Sequence, residues 1–211
     1  MSSIKNPYVV LFSSSFGSID KELGAMSDEE LVKQILASKN PALFGKLYDR
    51  YSERIYSKCY SFAQDTDEAQ DLTQDVFLKL FTKLDSFRGE AKFSTWLFSF
   101  TYNFLVNYKK RDSAKKLGER WERLNKNDGH LAQLDDIDEE ELFDLKAKNL
   151  EKALDLIEPA DKALLLLKYQ DDISIKDIQL LLNVNESAVK MRLKRAKIKL
   201  VKVHQKLQGN E

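Results

Sequence analysis

The spacing of apolar residues predicts helices along most of the chain, in two groups separated by a polar stretch. Apolar residues recur every three or four positions from about residue 27 to residue 116, and again from about residue 150 to residue 207. Ser27 with Glu30 matches a capping box, and Asn40 with Pro41 matches an N-cap followed by a proline at the first helical position. The helices predicted in the first group are about 27–38, 40–63, 65–84 and 93–116.

The second group ends in a pattern typical of a helix-turn-helix. Ser174 with Asp177 caps a short helix, and Asn183 is predicted to take a left-handed backbone conformation at its end. Asn185 then caps a longer helix that runs to Leu207. The apolar face predicted for this last helix is Val189, Leu193, Ala196, Leu200 and Val203.

The last helix is also strongly basic. Between Ser187 and Lys206 it carries eight Lys or Arg residues and no acid. One face that packs on a small core and another that is cationic are typical of a helix that reads duplex DNA, although a solvated basic helix is the plain alternative. Arg192 lies near the apolar face and is expected to pack or pair within its own domain.

Two stretches lack helical periodicity. Residues 1–25 are rich in Ser and are predicted to form a poorly ordered arm; the alternative is that Met26 is the natural initiator. Residues 117–145 read as an acidic linker, with eight acids and no Lys or Arg between Asp128 and Asp144. The linker is either simply solvated or screens the basic helix in cis. The predicted domains are therefore 26–116 and 146–211.

Composition narrows the function. Lys plus Arg and Asp plus Glu number 34 each, so any affinity for nucleic acid must come from local segregation of charge. Cys59 is the one cysteine and His130 and His204 are the two histidines, so neither an internal disulfide nor a metal site is expected. No Gly-rich phosphate loop or His-bearing triad occurs, so the chain is not expected to be an enzyme, to use a cofactor or to bind a small-molecule substrate. Without a run of eighteen apolar residues, no membrane insertion is expected and a cytoplasmic location is predicted.

Two sequence blocks carry a resemblance to a known family. The first, residues 67–111, reads DEAQDLTQDVFLKLFTKLDSFRGEAKFSTWLFSFTYNFLVNYKKR, with an F-x-T-W-L core formed by Phe93, Thr95, Trp96 and Leu97. The second, residues 173–200, reads ISIKDIQLLLNVNESAVKMRLKRAKIKL. Together they resemble region 2 and region 4 of bacterial RNA polymerase sigma factors of the extracytoplasmic-function (ECF) group. The resemblance implies an all-α fold of two small helical domains, a four-helix region 2 domain and a helix-turn-helix region 4 domain, joined by the acidic linker.

The resemblance also implies the partners. A sigma factor binds core RNA polymerase, through the β′ coiled coil and the β flap, and directs it to promoter DNA, where transcription initiates after melting. An anti-sigma factor is a possible further partner. The alternative is a helix-turn-helix regulator that binds DNA without polymerase, which would account for residues 146–211 but not for residues 67–111.

Site residues follow from the positions that match the family. The resemblance places polymerase binding at Asp71, Gln74, Asp75 and Leu78. It places contacts with the minus-10 element at Ser86, Phe87, Arg88, Lys92, Trp96, Tyr102, Asn103, Asn107 and Lys110. It places contacts with the minus-35 element at Ser187, Lys190, Met191, Lys194 and Arg195, of which the last four are also predicted to be exposed.

The chain departs from the family pattern in the helix-turn-helix. Asn183 stands where the family usually has Gly, and Ser187-Ala188 stands where Gly-Thr is common. Met191 replaces a common Ser, which favours an apolar contact, for instance with a thymine methyl group. The minus-35 preference is therefore expected to differ from the family's commonest one.

Overall fold

The structure, a computed structural model, describes residues 26–116 and 147–208, with side chains described for 26–112 and 149–208. Within these residues all regular structure is helical, which confirms the predicted all-α fold. The predicted arm and acidic linker, and with them the hypothesis of screening in cis, lie outside the described residues. No helix in the described part of the chain is long and apolar enough to cross a bilayer.

The first group contains four α-helices. They are α1 (Asp28–Ser38), α2 (Pro41–Tyr60), α3 (Thr66–Lys83) and α4 (Phe93–Lys116), with a 3₁₀ turn at Leu84–Ser86. The predicted caps are confirmed: the Glu30 N–H donates to Ser27 Oγ at 3.2 Å, and the Ala42 N–H donates to Asn40 Oδ1 at 3.0 Å. Helix α2 ends three residues before the predicted Ala63.

Helices α1 and α3 both pack against α2. The apolar residues that they bury include Leu31, Leu47, Ile55, Leu72, Val76 and Leu80. The apolar spacing of α3 also predicts a core position for Phe81, but this prediction is wrong, because its side chain is 56% exposed. Phe81 meets only the edge of the core, where its ring contacts Phe44 edge to face with 5.1 Å between centroids.

The chain divides into two compact units inside α4, between Leu97 and Phe98. Because one continuous helix crosses that point, the division does not mark where a domain ends along the sequence. The domain boundaries near residues 116 and 146 therefore stay predictions.

The second group also contains four α-helices. They are α5 (Ala147–Leu156), α6 (Pro159–Leu165), α7 (Ile175–Leu182) and α8 (Glu186–Gln208). The sequence predicts that the helix opened by Pro159 continues as one helix to about Tyr169, but its last part has a different geometry. Residues Leu166–Gln170 form a π-helical turn, in which the Asp171 N–H donates to the Leu166 carbonyl at 3.0 Å.

Helix α8 is the centre of the second group, since α5, α6 and α7 all pack on it. Val189, Leu193, Ala196 and Leu200 are buried as predicted, but Val203 is only half-buried. Ile198, Val201 and His204 are buried as well. Contact with three helices widens the buried face beyond the narrow stripe that the spacing predicts.

The hydrogen bonds at the ends of α7 and at the start of α8 confirm the caps predicted for the helix-turn-helix. Ser174 Oγ accepts from the Asp177 N–H at 3.1 Å, and Asn185 Oδ1 accepts from the Ala188 N–H at 2.8 Å. Asn183 has φ 51° and ψ 49°, and its N–H bonds back into the end of α7. This left-handed residue ends α7 and redirects the chain into α8.

Cys59 is fully buried in the first group. Burial raises the pKa of its thiol to about 11, so the thiol stays protonated at neutral pH and packs as a small apolar side chain.

The left-handed geometry of Asn183 gives a test of the turn. Asn183→Gly is expected to leave stability unchanged or raise it, because Gly has no Cβ to strain this conformation. Asn183→Ala is expected to lower the free energy of unfolding by about 1 kcal/mol, because Ala keeps the Cβ and loses the polar side chain with which Asn tolerates the left-handed region. Urea unfolding of the full chain, followed by circular dichroism, measures both. Equal stabilities for the Ala and Gly variants would contradict the backbone explanation.

Candidate functional site

One face of α3 points to solvent along its whole length. Asp71, Gln74, Asp75 and Leu78, at spacings of three and four residues, are all exposed. The opposite face, with Leu72, Val76 and Leu80, is buried against the first group. The side chain of Leu78 is 68% exposed, so the face combines two carboxylates with an apolar projection.

Phe81 extends this face by one more turn. It follows Leu78 at a spacing of three residues and is also largely exposed. Two large exposed apolar side chains beside carboxylates are typical of a protein-binding surface. Sequence reasoning missed Phe81 because helical spacing places it at the border of the apolar stripe, where either side is possible.

A short loop joins α3 to α4, and its conformation depends on local hydrogen bonds. Ser86 Oγ donates to the Lys83 carbonyl at 2.6 Å, and the Phe87 N–H donates to the Leu84 carbonyl at 3.2 Å. Gly89 then has φ 74°, in the left-handed region, and a Cβ added there would meet nothing within 4 Å. Gly89 is therefore required for its backbone conformation and not for space.

Three aromatic rings cluster at this loop. Phe87 lies 5.3 Å from Phe93 and 5.4 Å from Trp96 between ring centroids, and Phe93 lies 5.8 Å from Trp96. Phe93 is fully buried. Phe87 and Trp96 are half-buried, so each keeps part of its ring surface in solvent. Partly open aromatic faces of this kind suit the stacking of unpaired bases.

Two cations flank the aromatic cluster. Arg88 and Lys92 are both exposed, and neither makes a hydrogen bond or ion pair with another side chain in the described ranges. Both therefore remain available to phosphate groups, together with the exposed Ser86 hydroxyl.

The later positions on α4 divide into two kinds. Asn103, Asn107 and Lys110 are exposed and share one side of the helix by their spacing. Tyr102 is only 1% exposed. Its inclusion among the DNA contacts is contradicted, because a ring enclosed by protein presents no face to a base.

Helix α8 exposes most of the predicted minus-35 set. Ser187, Lys190, Met191 and Arg195 are exposed, but Lys194 is half-buried, so its predicted full exposure is wrong. Lys190 Nζ lies 2.6 Å from Glu186 Oε1 one turn earlier. Exposed pairs of this kind contribute little, so phosphate can displace the carboxylate.

Arg192 was expected to pack or pair within the domain, and the structure corrects this. Its side chain is exposed and has no ion-pair partner among the described residues. Lys199 behaves as Arg192 was expected to: it is partly buried, and its Nζ lies 3.0 Å from Asp161 Oδ2 on α6. Arg192 and Arg195 therefore face outward near the start of α8, whereas Lys199 faces inward and pairs with α6.

Two segments of the chain match models of the sigma-70 family. Residues 47–115 match sigma-70 region 2, and residues 147–200 match sigma-70 region 4. The chain is 28% identical over 157 residues to RNA polymerase sigma factor YlaC of Bacillus subtilis (strain 168), covering 74% of this chain and 88% of that protein. It is 28% identical over 182 residues to ECF RNA polymerase sigma factor SigW of the same strain, covering 82% of this chain and 94% of that protein.

Solved structures show the same fold. The sigma factor RpoE in complex with the anti-sigma factor NepR, from Bartonella quintana, matches with a TM-score of 0.52 at 19% identity, covering 77% of this chain and 96% of that one. CnrH in complex with the cytosolic domain of CnrY matches with a TM-score of 0.53 at 23% identity, covering 86% of this chain and 97% of that one.

The conformation of Gly89 can be tested against a second glycine. In a Trp121→Phe background, Gly89→Ala is expected to cost about 1 kcal/mol of stability and to shift the emission of Trp96, because the loop leaves its left-handed conformation. Gly45→Ala is the matched control: Gly45 lies within α2 with nothing near an added Cβ, so the same change is expected to add about 0.5–1 kcal/mol. Urea unfolding and fluorescence measure both, and stabilisation by Gly89→Ala would overturn the assignment.

Proposed function

The chain belongs to the sigma-70 family, as its two sequence blocks predicted, and we propose that it acts as a sigma factor of the ECF group. It binds core RNA polymerase, directs the enzyme to a specialised set of promoters and takes part in melting them. The observation that carries this function is the presence of region 2 and region 4 together, in family order. A polymerase-independent helix-turn-helix regulator would need only the second.

The chain forms and breaks no covalent bond in this role. Its work is to recognise DNA and to stabilise the melted strand, while the polymerase carries out the chemistry. The equal number of acids and bases in the sequence suits this division, because a free chain with weak overall attraction to DNA depends on polymerase to bring both of its DNA-binding surfaces to one promoter.

We place polymerase docking on the exposed face of α3. Asp71, Gln74, Asp75 and Leu78 are the family positions, and the exposure of Phe81 adds a second apolar side chain. The apolar pair supplies buried area on docking, while the carboxylates select a basic partner surface. We propose that this face binds the β′ coiled coil of the polymerase. The β flap is a further contact between the polymerase and the chain.

We place capture of the minus-10 strand on the α3–α4 loop and the start of α4. Phe87 and Trp96 offer aromatic surface, and stacking of one base on such a ring contributes about 1–3 kcal/mol. The phosphates are contacted by Arg88, Lys92 and Ser86. The strand further along α4 is contacted by Asn103, Asn107 and Lys110. Tyr102 is not part of this set.

We place minus-35 recognition on the outward face of α8. Ser187, Lys190, Met191 and Arg195 are its centre, Lys194 contributes with its partly buried side chain, and Arg192 is added because it is exposed. The exposed thioether of Met191 favours a thymine methyl over a hydrogen-bonding base edge. Promoter preference therefore depends most on this residue.

An inhibitory partner is part of the proposal. Two similar structures hold a second chain, the anti-sigma factor NepR on RpoE and the cytosolic domain of CnrY on CnrH. We propose a proteinaceous partner of the same kind for this chain. Run-off transcription with core polymerase across genomic fragments tests the whole function, and a chain that neither associates with core polymerase nor supports transcription would refute it.

The docking face predicts a charge effect. Asp75→Lys is expected to weaken binding to core polymerase by about tenfold, since it reverses one charge at a charge-selective surface, and to leave the circular dichroism spectrum unchanged. Glu53→Lys, the same change of charge on the exposed part of α2, is the matched control and is expected to bind as the wild type does. If Asp75→Lys binds core polymerase with wild-type affinity, the α3 face is not the docking surface.

The recognition face predicts a salt effect. Arg195→Ala is expected to weaken binding to a duplex minus-35 fragment and to make the negative slope of log affinity against log salt shallower by about 0.9, the amount for one lost phosphate contact. Lys202→Ala removes one equal charge from the same helix about two turns away and is expected to change the slope less. Equal slopes for the two variants would mean that only net charge matters.

A further inference from the structure

The residue that precedes α4 cannot cap this helix with its side chain. The first N–H groups of an α-helix have no partner within the helix, and a side chain just before the helix usually accepts from one of them. Lys92 occupies that position here, since its carbonyl accepts the Trp96 N–H at 3.1 Å. A lysine side chain carries no acceptor, so it cannot cap the helix that it precedes.

A carboxylate from a distant part of the sequence supplies the missing acceptor. Glu29 Oε1 accepts the Phe93 N–H at 2.8 Å, although 64 residues separate the two. The bond is partly buried, and an anion at this end of α4 also meets the positive end of the helix dipole. Glu29 therefore links the first turn of α1 to the first residue of α4.

Bonds on both sides of Glu29 hold its turn in place. Ser27 and Glu30 form the capping box of α1. Asp28 accepts from Arg50 Nη1 at 2.7 Å and from the Tyr51 hydroxyl. Neighbouring residues thus fix the turn from which Glu29 reaches Phe93.

Tyr51 of α2, which is bonded to the same turn of α1, also contacts Phe93. The ring of Tyr51, whose hydroxyl is bonded to Asp28, packs edge to face on the ring of Phe93 with 5.7 Å between centroids. Glu29 holds the backbone of Phe93, and Tyr51 holds its ring. Both contacts connect Phe93 to the first turn of α1, one directly and one through Tyr51. Phe93 in turn contacts Phe87 and Trp96, the rings proposed to face the minus-10 strand.

We propose that Glu29 is a positioning residue for minus-10 recognition. By capping α4 at Phe93 it sets where the α3–α4 loop ends, and so it fixes the presentation of Phe87, Trp96, Arg88 and Lys92. This inference rests on the proposed function for its consequence in transcription, but the capping itself does not.

An electrostatic role and a positioning role of Glu29 predict opposite effects of its removal on DNA binding. Glu29 places a negative charge near a loop that is proposed to meet phosphates, so a purely electrostatic role predicts tighter DNA binding when it is removed. A positioning role predicts weaker binding for Glu29→Ala. Glu29→Gln keeps an amide oxygen that can accept the Phe93 N–H while it loses the charge. Glu30→Ala is the matched control, since it damages the capping box of the same turn but not the bond to Phe93.

The first measurement uses the protein alone. NMR measures the exchange of the Phe93 amide hydrogen with solvent. The exchange rate is expected to rise about fivefold or more in Glu29→Ala, because the hydrogen bond to a charged acceptor that protects this amide is lost. In a Trp121→Phe background Trp96 is the one remaining tryptophan, and its emission is expected to shift in the same variant. Glu29→Gln and Glu30→Ala are expected to stay near the wild type in both readouts.

The second measurement uses holoenzyme assembled with core polymerase on a promoter that the wild type transcribes. Glu29→Ala is expected to reduce the yield of open complex about fivefold, with Glu29→Gln within about twofold of the wild type, and with core polymerase affinity unchanged. Tighter DNA binding by holoenzyme that contains Glu29→Ala would overturn the proposal. An equal loss of open complex in Glu29→Gln or in Glu30→Ala would also overturn it. If the wild type itself transcribes no promoter, the proposed function fails, and the amide exchange still decides whether Glu29 caps α4.

Discussion

The burial of Phe93 is the constraint on which the first part of the molecule depends. Its ring is enclosed by aromatic neighbours from α2, from the loop and from the next turn of its own helix, and its N–H is held by α1. A single residue thus joins elements that are distant in sequence. Because interiors are densely packed, a shift of this ring changes the positions of Phe87 and Trp96 with it. The surface proposed to capture DNA is therefore supported directly by the core.

The second part of the molecule uses a different arrangement for a similar purpose. Helix α8 is surrounded on one side by α5, α6 and α7, which bury its apolar residues down to His204. The Lys199–Asp161 pair ties it to α6, while Arg192 and Arg195 face solvent. A chain with no net charge can in this way present a local cationic surface, because the acids that balance it lie elsewhere in the sequence.

Local signals in the sequence were sufficient for the helix ends. The side chains of Ser27, Asn40 and Asn185 cap helices through bonds to residues only two or three positions away, and Asn183 takes its left-handed conformation by an intrinsic tolerance. Such interactions depend on sequence neighbours alone, so they can be read before any fold is known. The family and its two-block organisation were equally readable, because they depend on the order of motifs along the chain.

Tertiary structure decided how wide each buried face is and which distant residues meet. Helical spacing gives the direction of a side chain but not the number of helices that cover it, which is why Phe81 and Arg192 are exposed while Tyr102 and Lys194 are covered more than expected. The bond from Glu29 to Phe93 spans 64 residues, and no local pattern marks it. The sequence by itself determined the helices, their caps and the family. Packing alone determined which of their side chains remain open to a partner, because burial is a property of neighbours in space.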